Sequence, residues 1–472
     1  MYNYDKCYIN GQWQPVSNGQ KLEVIKPSTE QVIGTITLAN ESDVNKAVKA
    51  AKDAFISFSQ TSKSERISLL ERIIEVYKDN FALMAQHISD EMGAPMNLAK
   101  GAQAGSGLAH LEQALAALVA SSDQEKIGNS LIVHEPVGVC ALITPWNWPV
   151  NQIACKVGPA IAAGCTMVLK PSEIAPLSGY LFAKILDEAG VPAGVFNLLN
   201  GDGINVGSPL SSHNDIDMVS FTGSTRAGVA VAKAAADTVK RVSQELGGKS
   251  ANIILDDVDL EQAISGGVEA CMHNTGQSCN APTRMLIPEH LYNDAVKIAA
   301  KTANNLIVGD LNDDKTFMGP VISQAQYDKI QGLIEIAINE GAELVAGGLG
   351  KPQGLAQGYY VKPTVFAKVN NKMTIAQEEV FGPVLVLIPY SSEQEAIDIA
   401  NDSLYGLSGY VSSKDTDRAM SVATKIRTGM VHINYAWTDA AAPFGGYKQS
   451  GNGREWGKFG LEEFQEVKAI MQ

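Results

Sequence analysis

The sequence predicts an α/β protein built on parallel sheets, and three observations carry that expectation. The chain has 472 residues, more than one ordinary domain, so two or three domains with substantial cores are expected. Apolar residues make up 45% of it and charged residues 19%, the balance of a globular protein rather than a disordered one. From Leu131 onward, short apolar runs alternate with helical stretches, the signature of parallel strands joined by crossover helices.

Composition also excludes several classes. The net charge is −14, a field that repels phosphate backbones, so no nucleic-acid partner is expected. No run of about 18 or more apolar residues occurs, so no membrane span is expected. The six cysteines, Cys7, Cys140, Cys155, Cys165, Cys271 and Cys279, form no Cys-x-x-Cys pair, and no signal peptide is evident. They read as the reduced thiols of a cytoplasmic protein, with neither a disulfide framework nor a metal site.

Residues 1 to 40 read as hairpins, with strand-like runs at Cys7 to Gly11, Leu22 to Ile25 and Val32 to Ile36. Helices follow over Ser42 to Ala51, with a Ser/Asp cap candidate, and over Ser64 to Tyr77, with Ile67, Leu70, Ile73, Ile74 and Tyr77 on one face. Ala82 to Glu91 and the Ala-rich Leu98 to Ala120 continue as packing helices. Val137 to Ile143 is a buried-strand run ending in Thr144-Pro-Trp-Asn-Trp-Pro149. Ligands of open α/β sheets bind beyond the carboxyl ends of strands, which makes this loop a candidate site. Asn147 there offers an amide donor to a carbonyl oxygen that becomes negative. Trp146 and Trp148 read equally well as core rings.

The strand Cys165 to Leu169 runs into Lys170-Pro-Ser-Glu173, where a lysine and a carboxylate can grip vicinal ribose hydroxyls or simply form a surface turn. Val195 to Leu199 leads to Gly201-Asp-Gly-Ile-Asn-Val-Gly207, whose last interval is one residue too long for Gly-x-Gly-x-x-Gly. Asp217 to Phe221 is another strand, and Thr222-Gly-Ser-Thr-Arg-Ala-Gly228 turns it into a helix. Backbone N–H groups and a hydroxyl at a helix start suit a pyrophosphate, although Ser224 serves equally as a plain cap. Glu245-Leu-Gly-Gly-Lys-Ser250 places a carboxylate before two glycines that let another chain or a ligand approach closely. The strand Ala251 to Leu255 crosses into a second α/β region. There Asn274-Thr-Gly-Gln-Ser-Cys279 presents a thiol among turn-forming residues, just before Arg284 and the apolar run Met285 to Pro288. A thiolate is a strong nucleophile once its surroundings activate it, whereas a lone cysteine is more often a small buried hydrophobe. Further on, Glu378-Glu-Val-Phe-Gly-Pro-Val384 sets a carboxylate beside an aromatic ring ahead of the strand Leu385 to Pro389.

Taken together, Gly276-Gln-Ser-Cys279 and Glu245-Leu-Gly-Gly248 resemble the nucleophile and general-base motifs of the NAD(P)-dependent aldehyde dehydrogenase superfamily. The resemblance extends over the whole chain, through Thr144 to Pro149, Lys170 to Glu173, Phe221 to Thr225, Asn401 to Leu407 and Pro443 to Gly451. It implies a Rossmann-like cofactor domain over 1–121 and 138–246, a catalytic domain over 247–445, and a small β oligomerisation arm with bridging segments over 122–137 and 446–472. It implies an NAD-dependent enzyme, with NADP as the alternative, that oxidises an aldehyde to a carboxylic acid. Cys279 would form a thiohemiacetal and then a thioester, Asn147 would hold the oxyanion, and Glu245 would activate the hydrolytic water. Family members that transfer the acyl group to coenzyme A generally lack that carboxylate.

Cofactor contacts implied by the resemblance are Ile143, Thr144, Trp146, Lys170, Ser172, Glu173, Gly203, Phe221, Gly223, Ser224, Glu379 and Phe381. A proton relay is implied at Lys156 and Glu455. Trp148, Ser278, Asn280 and Trp437 are expected at the substrate pocket, an aromatic, mostly uncharged mouth that suits apolar or semialdehyde substrates. A homodimer is expected, with a homotetramer as the alternative; the C-terminal Val467 to Gln472 is shorter than in many members, and Ile127 to Glu135 is the candidate strand to receive a partner. Two rival readings stand beside this one. A cysteine hydrolase would use His273 as base to Cys279, but would leave the ribose and phosphate loops without purpose. A non-catalytic scaffold would lack one of Cys279, Glu245 and Asn147, and all three are present.

Overall fold

The computed structural model describes residues 1–16, 19–122 and 124–471. Residues 123 and 472, which fall in the two expected bridging segments, lie outside the described residues. The described residues form two large sheets and two small ones.

The first large sheet is built from β1 (Val139–Ile143), β2 (Thr166–Lys170), β3 (Phe196–Leu198), β4 (Met218–Thr222) and β5 (Arg241–Glu245). All are parallel, in the order β5-β4-β1-β2-β3. The order reverses between β4 and β1, and that reversal opens the crevice where doubly wound sheets bind ligands. The predicted amino-terminal hairpin, Lys6–Ile9 with Gln12–Pro15, extends the sheet beyond β3 in antiparallel sense. A two-residue strand, Gly451–Asn452, closes its other edge against β5. The helix Pro149–Ala163 is buried at every position, because it is sandwiched between this sheet and the long helices Lys63–Asp79 and Gly105–Ala120.

The second large sheet holds β6 (Ala251–Ile254), β7 (Arg284–Pro288), β8 (Thr364–Ala367), β9 (Val384–Tyr390), β10 (Ser408–Ser412) and β11 (Met430–Ile433). These six run parallel in the order β8-β9-β7-β6-β10-β11, with Glu343–Ala346 antiparallel at the edge of β8. Near-continuous apolar runs such as Val384 to Ile388 follow from burial on both faces.

Three expectations are corrected in detail. The helix Glu41–Phe58 is capped by Asn40 rather than by Ser42 or Asp43. The Asn40 carboxamide oxygen accepts from Ser42 N at 2.9 Å, and Asp43 returns a bond to Asn40 N at 3.3 Å. The stretch Leu98 to Ala120 is not one helix: a π-helical segment, Ala99–Ala104, precedes Gly105–Ala120, and the widened turn aims Gln103 into the interior. The arm strand Ser130–Pro136 is hydrogen-bonded on both edges within the chain, by Gln124–Ile127 and by Gln465–Met471. The edges offered to another strand are therefore those of the two flanking strands, not that of the arm's centre. No helix among the described residues is long and apolar enough to cross a membrane.

Candidate active site

The two large sheets meet where the segments that follow β1 and β5 pack against the segments that precede β6, β7, β9 and β10. Each candidate residue sits on one side of that seam. Cys279 follows the turn His273–Gly276, where Asn274 (φ 54°), Thr275 (φ 58°) and Gly276 (φ 68°) are all left-handed. A side chain at Gly276 would press on the backbone of Gly382 and Pro383, so the glycine fixes this turn against the Glu378 to Val384 segment. Of the six free cysteines, five are buried and Cys279 alone is partly exposed. Its close surroundings push the thiol well above the ordinary range; burial is the main cause, and the Glu379 and Glu245 carboxylates add to it. The backbone N–H groups of Cys279 and Asn280 act in the opposite sense.

Asn147, at the end of β1, crosses the seam. Its carboxamide donates to the Gln277 carbonyl at 3.0 Å, two residues before the nucleophile, which leaves one amide hydrogen free. Its own carbonyl accepts from Gln103 Nε2 and from Asn274 Nδ2, each at 3.0 Å. Glu245, the last residue of β5, is 1% exposed and neither carboxyl oxygen has a hydrogen-bond partner. Burial raises its pKa well above the usual carboxylate range, and Glu455 raises it further; Lys156 and Arg454 pull it back. A carboxyl group in that setting is held as a reservoir for a proton rather than as a fixed anion.

The two glycines after Glu245 do what the sequence suggests. A methyl group on Gly247 would press on the Glu379 carboxylate, and one on Gly248 on the Cys279 carbonyl. Gly248 N donates to Glu379 Oε1 at 2.9 Å. The Asn401 to Leu407 and Pro443 to Gly451 segments also meet here: Ser450 Oγ donates to Gly247 O at 2.6 Å and accepts from Gly406 N at 3.0 Å.

Lys156 is fully buried in the Pro149–Ala163 helix and forms an ion pair with Glu455. It also donates to Ser220 Oγ at 2.9 Å, and Cys155 Sγ lies 3.4 Å from Glu455 Oε2. Burial is the largest single influence and lowers the Lys156 ammonium, but the Glu455 charge and hydrogen bond, with Cys155 and Glu245, together outweigh it and the pKa stands above the ordinary range. Glu455 is thus an interior charge and not a surface one.

The candidate cofactor residues gather at the strand ends around the crevice. Ile143 and Lys170 are register partners on β1 and β2, and Thr144 N donates to Lys170 O at 3.1 Å. Lys170 Nζ pairs with Glu173 at 2.9 Å, with Ser172 buried between them. Ser224 does cap the helix Thr225–Ala235, accepting from Ala227 N at 3.3 Å, and the Phe221 ring lies over Gly223. Gly203 is exposed at the start of a π-helical turn, and a side chain there would meet only open space. Phe381 has φ 58° and stands edge-on to Trp146, ring centroids 5.3 Å apart. Gln326 Nε2 holds that conformation by donating to Phe381 O at 2.7 Å. Two threonine hydroxyls at these strand ends, Thr144 and Thr222, are buried without a partner. Orphaned donors beside a lysine–carboxylate pair and a helix start fit a ligand with ribose and phosphate groups.

On the other side of the nucleophile, Trp148 Nε1 donates to Ser278 Oγ at 2.8 Å. Asn280 O accepts from Tyr410 OH at 3.2 Å, and Trp437 is 87% exposed at the rim. His273 stacks on Trp148 and makes no hydrogen bond to Cys279, so the hydrolase arrangement is not formed. Sequence reasoning missed Gln103 and Arg284. Gln103 is fully buried and bonds to both Asn147 and Asn274; its one signal was an amide in an Ala-rich helix. Arg284 is buried behind the nucleophile loop, where it donates to Lys249 O, Asn371 Oδ1, Ile399 O and Ala400 O at 2.8–2.9 Å.

Comparison with known proteins agrees with this geometry. Residues 13–470 match the aldehyde dehydrogenase family. A 3-succinoylsemialdehyde-pyridine dehydrogenase from a Pseudomonas species is 56% identical, covering all of this chain and 99% of its own. A mutant of aldehyde dehydrogenase C from Pseudomonas syringae, solved with NAD+ and octanal, superposes with a TM-score of 0.98 at 49% identity, over 99% of this chain and 96% of its own. The NAD+ complex of a Mycobacterium tuberculosis aldehyde dehydrogenase gives 0.97 at 40% identity, over 100% and 98%. A partly exposed thiol beside an amide donor and an unpartnered carboxyl group, in a chain matched from end to end, places this protein in the aldehyde dehydrogenase family.

Proposed function

We propose that this chain oxidises an aldehyde to its carboxylic acid with NAD+, through a covalent adduct on Cys279. The observation that carries the reading is the seam itself: the one thiol that is not buried lies two residues from the Gln277 carbonyl that Asn147 holds, and the unpartnered Glu245 carboxyl group is close enough to act on that thiol. The Cys279 thiol gives its proton to solvent, its Sγ attacks the aldehyde carbon, and the carbonyl oxygen becomes an alkoxide. The free Asn147 amide hydrogen and the Cys279 backbone N–H hold that charge. NAD+, when bound, supplies the hydride acceptor, and loss of that hydride from the adduct carbon leaves a thioester on Sγ. Glu245 then takes a proton from water, whose oxygen attacks the thioester carbon; the acid leaves and the thiolate returns. Glu455, ion-paired with Lys156 and close enough to act on Glu245, would be the acceptor that takes this proton away from the seam.

Lys170 and Glu173 would hold the adenosine ribose, Gly223 and Ser224 the pyrophosphate, and Glu379 with Phe381 the nicotinamide side. Trp148, Ser278, Asn280 and Trp437 line the substrate mouth, which suits apolar or semialdehyde substrates; the relatives named for a pyridyl semialdehyde and bound to octanal support both kinds. The division into a cofactor domain (1–121 and 138–246), a catalytic domain (247–445) and bridging segments follows the two sheets. The exposed outer strand Gln465–Met471, with Val467 and Met471 in solvent, suits a homodimer. The test is NADH formation across an aldehyde panel. Wild type should reduce NAD+ with at least one aldehyde, and Cys279→Ala should abolish the reaction while the cofactor still binds; a variant that keeps more than a small fraction of kcat refutes the assignment.

A further inference from the structure

The wall between Cys279 and the surface holds a histidine that the chemistry above does not use. His273 closes the helix Leu260–Met272, and its imidazole stacks on Trp148, ring centroids 6.0 Å apart and planes 27° apart. Trp437 stands edge-on to the same imidazole, 6.5 Å away at 76°. Trp148 in turn donates to Ser278 Oγ at 2.8 Å, one residue from the nucleophile. Taken outward from Cys279, the wall therefore runs Ser278, Trp148, His273 and then the exposed Trp437.

His273 and the segment that carries Trp437 are tied to one helix, whereas Trp148 is held by Ser278. Tyr435 OH donates to the Ala263 carbonyl at 2.6 Å, on the helix that ends at His273, and accepts from Asn252 Nδ2 at 2.9 Å. Asn434 and Tyr435 are both left-handed, at φ 51° and 57°, which turns the following residues toward the mouth. The Tyr435 anchor thus brings the Trp437 segment beside His273 without any bound molecule. Preset rings of this kind bind flat groups with little loss of conformational freedom.

A lining of indoles alone would suit an alkyl chain. The imidazole changes that, because neither ring nitrogen has a hydrogen-bond partner among the described residues. Burial lowers its pKa and favours the neutral ring, which carries one N–H donor and one acceptor.

We infer that His273 selects the far end of the substrate, favouring an aldehyde that carries a flat heteroaromatic ring with a hydrogen-bond acceptor. The ring packs against the indoles, and its acceptor atom takes the imidazole N–H. This rests on the oxidation proposed above and adds the substrate class to it. A net hydrogen bond at a half-buried site is worth roughly a fivefold to tenfold preference, well below what a sealed polar pocket gives.

The test compares 3-(pyridin-3-yl)propanal with 3-phenylpropanal, which share one shape, and uses propanal as the reference. Wild type should show kcat/KM about fivefold to tenfold higher for the pyridyl aldehyde. His273→Phe keeps a stacked ring without the donor, and the ratio should fall to about one, whatever happens to the absolute rates. A wild-type ratio near one, or one favouring phenyl, overturns the inference without any variant. A ratio unchanged in His273→Phe also overturns it. If propanal alone is oxidised, the inference fails and the proposed oxidation stands; if none of the three yields NADH, the oxidation itself fails.

Discussion

The two halves of the active site are built in opposite ways. On the cofactor side, the loops that carry the candidate residues lie at or just beyond the carboxyl ends of parallel strands: Asn147 after β1, Lys170 at the end of β2, Thr222 to Ser224 at the end of β4 and Glu245 at the end of β5. On the other side, the residues lie ahead of their strands: Gly247 and Gly248 before β6, Cys279 before β7 and Glu379 before β9. The first half uses regular backbone and open strand ends, where ligands enter doubly wound sheets. The second uses left-handed residues, at Asn274, Thr275, Gly276 and Phe381, clamped by side-chain amides. Binding can be left to the ordinary geometry of a sheet, whereas a nucleophile must be fixed by specific contacts.

That contrast makes different predictions for the seam and for the cofactor half alone. Asn147 is the link between them, so Asn147→Ala should have the larger effect. Losing one oxyanion donor typically costs about 10²- to 10³-fold in kcat, and here the Gln277 carbonyl also loses one of its two donors, keeping Asn274 Nδ2. Steady-state kinetics should place the loss in kcat, with the fold retained by circular dichroism. A change confined to KM would make Asn147 a substrate-binding residue and separate the two halves.

Glu173 belongs to the cofactor half only and should affect cofactor choice alone. Its carboxylate can accept from ribose hydroxyls but faces a 2′-phosphate as a like charge. Two unit charges about 4 Å apart repel by about 4 kcal/mol at an effective dielectric of about 20. Salt reduces this, and Lys170 at 2.9 Å offsets part of it, leaving a preference for NAD of about tenfold or more. Comparing kcat/KM for the two cofactors on one aldehyde checks it. Equal values in wild type contradict the assignment, and Glu173→Ser should narrow the ratio.

The same contrast explains what the sequence made legible. Strand–helix alternation and short motifs marked the cofactor half and the nucleophile itself, since each is local in the chain. Gln103 was invisible because its partners, Asn147 and Asn274, lie far away in sequence, and its inward aim depends on a π turn that no spacing signals. Arg284 was noted only as following Cys279, whereas its four carbonyl acceptors come from three distant segments. The Asn40 cap was missed because Ser42 and Asp43 are equally good cap residues and only the backbone turn decides among them. The middle of the arm was taken for a free edge because strand pairing across more than three hundred residues leaves no local trace.

The most direct test of the account is the pre-steady-state behaviour of Glu245→Gln. Glu245 is the only group at the seam assigned to the second half of the reaction, and general-base catalysis is worth about 10²- to 10⁴-fold. Mixing the variant with NAD+ and an aldehyde in a stopped-flow spectrometer should give one equivalent of NADH per site in a burst. Turnover should then slow by that order, with a thioester on Cys279 detectable by mass spectrometry of the quenched protein. Undiminished steady-state turnover, or loss of the burst with the slow phase unchanged, would contradict the assignment of Glu245 to deacylation.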